Sequence, residues 1–282
     1  MYIARYGRGD INRQGGSKFL RLVLALLVIL LLAAGALAAA VELYPPKGML
    51  ILEYHKVNDR TKDDYTVSTK DFAEQMDVLQ ADGYTTISVL DFLRAKKGKQ
   101  KLPDKPVVVS FDDGYSDNYT EALPILEEHG MQATVFMVTN DIGLPGYLTW
   151  EQLHEMEKRG IEIGSHTANH LPLTNMTVEE ARNEVQKSKL MMEWKGLKTV
   201  FVLSYPNGQY DAYLPEILKE EDYLAAVTGD PGLNTFQTNP YLLHRINIPS
   251  PHFGAAEFRL RIWKAKAVAL LGLWQNVGDL KN

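Results

Sequence analysis

Three short polar segments of this 282-residue chain carry side chains that could do chemistry together. The first is Asp112-Asp113-Gly114, which ends the apolar run Val107-Val108-Val109-Ser110-Phe111. Neighbouring side chains in extended backbone diverge, so one carboxylate can hold a metal while the other takes a proton. An Asx-turn leading into a helix is the alternative reading of the same residues. The second segment is Ser165-His166-Thr167-Ala168-Asn169-His170, whose two histidines, four apart, lie on one side of a helical turn and can reach one ion. Neutral imidazole is a common zinc ligand, although such a pair also arises by chance. With Asp113, His166 and His170 would make a carboxylate–His–His set that leaves positions open for water and substrate. The third is Ser204-Tyr205-Pro206-Asn207-Gly208-Gln209. It reads either as a plain β-turn or as a rigid loop offering a backbone N–H to a developing oxyanion.

Each segment follows a short apolar run, and the elements that must position them alternate. Strands are expected at 49–57, 85–89, 107–111, 133–139, 161–165, 199–204, 224–228 and 242–248. Helical spacing falls at 71–82, 91–97, 117–129, 150–159, 178–194 and 212–221. Such alternation predicts a parallel sheet with helices outside it, and about seven units can close into a barrel. Sites in these α/β folds sit at the carboxyl ends of strands, where all three polar segments fall.

Composition narrows the partners. Residues 1–41 hold Arg5, Arg8, Arg13, Lys18 and Arg21 against Asp10 alone, leaving 25 Lys+Arg against 34 Asp+Glu in the remainder, a net of −9. An acidic body argues against nucleic acid, which needs a basic face, but not against a neutral sugar polymer. There is no cysteine, which excludes disulfides, thiolate metal ligands and a Cys nucleophile. No protein partner is evident.

Residues 22–41 are an unbroken run of 20 without a charge, preceded by basic residues and followed by Glu42. At about 1.5 Å per residue the run spans about 30 Å, a bilayer core. The positive-inside rule puts 1–21 in the cytoplasm and everything after 41 outside, tethered at the cell membrane. The small residues at 34–40 admit the alternative of a cleaved signal peptide and a secreted protein, though the run exceeds the usual h-region. The expected organisation is a basic segment at 1–21, a transmembrane anchor at 22–41, a Pro-containing linker at 42–48, a catalytic domain at 49–250 and a C-terminal helical segment at 251–282. The last mixes basic and apolar residues, and suits a helix packed on the barrel or lying on the membrane surface.

Ser110-Phe111-Asp112-Asp113-Gly114, then His166-Thr167-x-x-His170, then Tyr205-Pro206-x-Gly208, resembles in order and spacing the polysaccharide deacetylase (NodB homology, carbohydrate esterase family 4) family, across 49–249. Tyr54-His55 resembles a Tyr-His pair common in one lineage of that family, and Ser204-Tyr205-Pro206-x-Gly208 is similar to its poly-N-acetylglucosamine deacetylase lineage. The resemblance implies an α/β fold, a distorted (β/α)7 barrel, with one divalent ion, usually Zn2+. It also implies hydrolysis of N-acetyl groups from the hexosamine units of an extracellular or cell-wall polysaccharide. Carried over by position, Asp112 corresponds to the general base, Asp113, His166 and His170 to the metal ligands, and the Asn207 backbone N–H to the oxyanion donor.

Ser204 stands where many members carry an arginine that steadies the base, so that charge is either missing or comes from elsewhere. In Leu242-Leu243-His244-Arg245, His244 resembles the general acid, although the segment also aligns with Arg245 as the functional residue. His55, Tyr205, Pro206 and Arg245 are expected to line the substrate site, and a packing role is the alternative for His55. His129, His154 and His252 belong to no cluster and read as surface or core residues. The rival readings are an O-acetyl esterase using the same residues and a catalytically silent glycan-binding protein.

Overall fold

The computed structural model describes residues 13–198 and 200–273; the expectations that rest on residues 1–12, Thr199 and 274–282 lie outside the described residues. The chain divides between Pro45 and Pro46 into two units. The first holds helix α1 (Arg13–Leu43), within which Phe19–Leu43 is long and apolar enough to cross a membrane.

The second unit runs β1 (Leu50–Tyr54), β2 (Lys56–Val57), β3 (Thr66–Val67), α2 (Thr69–Ala81), β4 (Thr85–Thr86), α3 (Val89–Lys96), β5 (Pro106–Phe111), α4 (Leu123–Glu128) and β6 (Thr134–Met137). It continues α5 (Trp150–Lys158), β7 (Glu162–Ser165), α6 (Val178–Trp194), β8 (Val202–Ser204), α7 (Leu214–Glu220), β9 (Ala225–Val227), β10 (Ile246–Asn247) and α8 (Ala255–Leu270). The main sheet is parallel in the order β10-β1-β5-β6-β7-β8-β9, with β4 on the lower part of β5. All six residues of β5 are buried, as befits a parallel strand covered on both faces. The two ends of the strand order meet at one segment. Leu243 bridges in parallel to Val227 of β9, and three residues later Ile246 pairs with Leu52 of β1. The sheet therefore curls into a distorted (β/α)7 barrel whose seam is the segment around His244 and Arg245.

Several elements differ from the sequence expectation for identifiable reasons. The 49–57 strand splits after Tyr54, because Lys56–Val57 leaves the barrel to pair with Thr66–Val67. The 85–89 strand stops at Thr86, because Ser88 caps α3: Ser88 Oγ accepts from Asp91 N, and the Asp91 carboxylate accepts from Ser88 N. Glu162, from β7, adds its carboxylate to the Val89 and Leu90 N–H groups at 3.0 and 3.1 Å, tying that helix start to the barrel wall. The 117–129 helix begins with a wide turn in which Leu123 N bonds Asn118 O, because Pro124 has no N–H to continue the regular ladder. Of the C-terminal segment, α8 buries Phe258, Ile262 and Ala265 and meets α2 and β10.

Candidate active site

The carboxyl end of β5 makes the first side of the site. Asp112 N bonds Tyr54 O at 2.9 Å, and the next residue, Asp113, takes φ 71°, a left-handed conformation uncommon outside glycine. Gly114 continues at φ +76°, and a Cβ there would run into Met137 Sδ. This reversal is what parts the two carboxylates. Asp112 is buried and faces into the barrel, whereas Asp113 is tipped toward the histidines and remains partly exposed.

The loop after β7 supplies the second side. His166 N bonds Met137 O at 2.8 Å and Thr167 O accepts from Thr139 N at 3.1 Å, so the loop is tied to the end of β6. Thr167 and His170 both sit at positive φ, 68° and 55°. A β-branched residue there is strained, and strain of this kind persists only where the surroundings over-determine it. The surroundings here are hydrogen bonds. Ser165 Oγ accepts from Thr167 N at 3.1 Å, Thr167 Oγ1 accepts from His170 N at 3.1 Å, and Glu184 of α6 accepts from both Asn169 N and Nδ2.

The result is a compact cluster of Asp113, His166 and His170. Both histidine Nε2 atoms stand 3.5 Å from Asp113 Oδ1. Ligands held about 2.0–2.1 Å from one ion at ordinary coordination angles stand about 3–3.4 Å apart, so the three donors fit a divalent metal with little movement. His166 Nδ1 lies 2.8 Å from the Ser204 carbonyl, an acceptor that fixes the proton there and leaves Nε2 free to ligate. Burial drives the His166 imidazole below its ordinary value, against the pull of Asp112 and Asp113, and so favours the neutral ligand form.

A second cluster, Glu53, His55 and Asp112, adjoins the first. Burial alone would raise the Asp112 carboxyl, but the Arg245 guanidinium and then His166 outweigh it and hold the group well below the usual carboxylate range. Arg245 Nη1 donates to Asp112 Oδ1 at 2.8 Å, and Arg245 Nε lies 3.3 Å from Glu53 Oε2. Ser204 Oγ donates to Asp112 Oδ2 at 3.0 Å. For Glu53 burial prevails, and its carboxyl is raised despite Arg245.

The structure thus brings together Asp112, Asp113, His166, His170 and His55. Arg245, expected to line the substrate site, joins them as a fully enclosed side chain, 1% exposed and paired with Asp112. The charge absent at Ser204 comes from the barrel seam. His244, beside Arg245, points the other way: its ring packs against Gly232 and its charged neighbour is Asp230. Tyr205 and Pro206 are buried, and Tyr205 donates its hydroxyl to Tyr241 O, so the turn reaches solvent from Asn207 onward. Asn207 holds φ 56°, and its N–H donates to no protein acceptor among the described residues. Gly208 follows at φ +65° against the Gly229 backbone, where a side chain has no room. Glu53, Ser204 as a donor, and Tyr115, whose hydroxyl reaches Asp113, were not foreseen from the sequence. For Glu53 a signal existed: a lone acid in an apolar strand, two residues before His55 and therefore on the same face.

Residues 99–226 match a family model described as polysaccharide deacetylase. YxkH of Bacillus subtilis (strain 168), assigned to the polysaccharide deacetylases, is 32% identical over 219 residues, 78% of each chain. A protein of Staphylococcus aureus (strain MRSA252) named poly-beta-1,6-N-acetyl-D-glucosamine N-deacetylase is 27% identical over 274 residues, covering 84% of this chain and 94% of that one. Among solved structures, the Streptococcus pyogenes deacetylase PplD in complex with acetate superposes with a TM-score of 0.71 at 24% identity, over 78% of this chain and 99% of that one, a likeness of fold.

Proposed function

Because this chain belongs to the polysaccharide deacetylase family, we propose that it hydrolyses the acetamide of N-acetylhexosamine units in an extracellular polymer, the poly-β-1,6-N-acetylglucosamine class being the first to test. The observation that carries the reading is a buried carboxylate, Asp112, kept ionised by Arg245 directly beside the Asp113–His166–His170 donor set.

Asp113, His166 and His170 would hold the ion, and their mix of one carboxylate and two imidazoles suits Zn2+. When bound, such an ion polarises the acetyl carbonyl and makes water acidic enough to be deprotonated near neutral pH. Asp112 takes the proton of the attacking water at a carboxylate oxygen, while Arg245 and Ser204 fix the carboxylate in place. The Asn207 N–H donates to the carbonyl oxygen as negative charge builds on it. The C–N bond then breaks, and the departing sugar amine needs a proton. His55 shares a cluster with Asp112 and is our candidate for that donor, in place of His244. The products are acetate and a free amine, which gives the polymer positive charge.

Helix α1 is read as an uncleaved anchor that leaves the second unit outside the cytoplasm, on the basic flank preceding its apolar run. The direct test is acetate release by the full-length protein from poly-N-acetylglucosamine, peptidoglycan and chitin oligomers, alongside O-acetylated glycans. Release from esters with none from any acetamide would overturn the proposal.

A further inference from the structure

Beside the His166–His170 loop lies a cavity of about 440 Å³ that the chemistry just described does not use. One wall is the loop itself, through Asn169, together with Asn140 from the segment after β6. The other wall is α6, through Lys187, Leu190, Met191 and Trp194. Trp194 is 78% exposed, Leu190 55% and Met191 40%. A contiguous apolar surface on one helix face, left open beside a polar wall, is the signature of an interaction site.

The polar wall is built rather than incidental. Asn140 Nδ2 donates to Asn169 Oδ1 at 2.6 Å, and Asn169 is locked in turn by two hydrogen bonds to Glu184. The Asn140 carbonyl oxygen receives no hydrogen bond from the protein among the described residues, so a rigid acceptor stands open. An indole face, a fixed amide acceptor and no carboxylate on the lining suit a neutral pyranose with an acetamido N–H. The sole charged residue of the lining is Lys187. A cationic rim accepts a neutral N-acetylated unit and repels the ammonium of a deacetylated one.

Continuity supplies the occupant. Ala168 and Asn169 lie between the two metal-ligand histidines, and Asn140 N bonds Ala168 O at 3.1 Å, so the cavity opens on the same loop that holds His170. We propose that the Trp194 cleft binds N-acetylated units of the polymer flanking the one under hydrolysis, and that Lys187 selects stretches not yet deacetylated. The inference rests on the deacetylase reading above and names a determinant of its specificity.

The test uses the full-length protein with N-acetylglucosamine oligomers of two lengths, a dimer and an octamer, in fully and half-acetylated forms. Acetate release and oligomer affinity by calorimetry are measured separately. Trp194→Ala is expected to raise KM for the octamer about tenfold, with kcat and the dimer's KM unchanged. Lys187→Glu is expected to shift affinity toward the half-acetylated octamer. Equal effects on dimer and octamer, or none on either, overturn the proposal, as does an unchanged acetylation preference in Lys187→Glu. If the wild-type chain releases no acetate, the deacetylase reading falls. The calorimetric arm still decides the cleft, because loss of octamer binding in Trp194→Ala supports it and unaltered binding removes it.

Discussion

Arg245 reaches across 133 residues of sequence to donate to Asp112 at 2.8 Å, and neither side chain is more than 3% exposed. Removing the arginine leaves a buried carboxylate unpaired, which costs about 3–5 kcal/mol in comparable cases. Burial would then raise the Asp112 carboxyl. Arg245→Met is expected to lower the melting temperature and to move the acidic limb of the kcat/KM profile to higher pH, since the base works only when ionised. Arg245→Lys should recover part of both effects. An acidic limb that stays in place would show that Asp112 is not the group it reports.

Asp112 and Asp113 adjoin in sequence but should separate in function. Asp113→Ala and His166→Ala are expected to lose metal by elemental analysis and activity with it. Asp112→Asn should keep the metal while the rate falls by about 10²–10⁴-fold, the usual consequence of losing a general base. Full metal occupancy in His166→Ala would remove the ligand assignment.

His244 and His55 give opposite expectations. Burial depresses the His244 imidazole, so the unfolded chain binds its proton more readily. Stability from this group is therefore present above about pH 6.5 and is lost as pH falls below it. His244→Gln should flatten the fall in melting temperature between about pH 7 and pH 5 while leaving neutral-pH activity near wild type. His55→Gln should instead cut the rate by about 10²-fold or more. The reverse pattern would return the leaving-amine proton to His244.

Gly208→Ala tests the turn that carries Asn207. Alanine at φ +65° is strained, and its Cβ would meet the Gly229 backbone, which cannot swing aside as a side chain can. Destabilisation above about 1 kcal/mol is expected, with a loss in kcat exceeding the change in KM because the Asn207 N–H is displaced. An unchanged melting curve would contradict the tight approach of the two loops.

The four residues nearest the proposed chemistry, Asp112, Asp113, His166 and His170, were legible because each sits in a polar segment ending an apolar run, and strand ends are where such barrels keep their sites. Arg245 and Glu53 were not assigned their place. Their pairing depends on which strands are neighbours across the seam, and no local pattern encodes that. Leu242-Leu243-His244-Arg245-Ile246 shows no alternation to say which side chain points inward, because the segment changes partners from β9 to β1 at that point. His244 and Arg245 were therefore interchangeable in sequence and opposite in structure. The splitting of the 49–57 strand was hidden similarly, since Lys56 and Val57 suit either sheet.

The seam also sets an order of events. Protein synthesis delivers Asp112 and Asp113 first, His166 and His170 next and Arg245 near the end, and a domain generally folds as a unit once its parts are made. Until the segment after β9 has been made and has joined β1, Asp112 lacks its counter-charge and stays protonated more readily than in the finished barrel. A chain made only as far as β9 thus carries the metal donors but lacks the guanidinium that fixes Asp112, and the base is positioned only with the last strand.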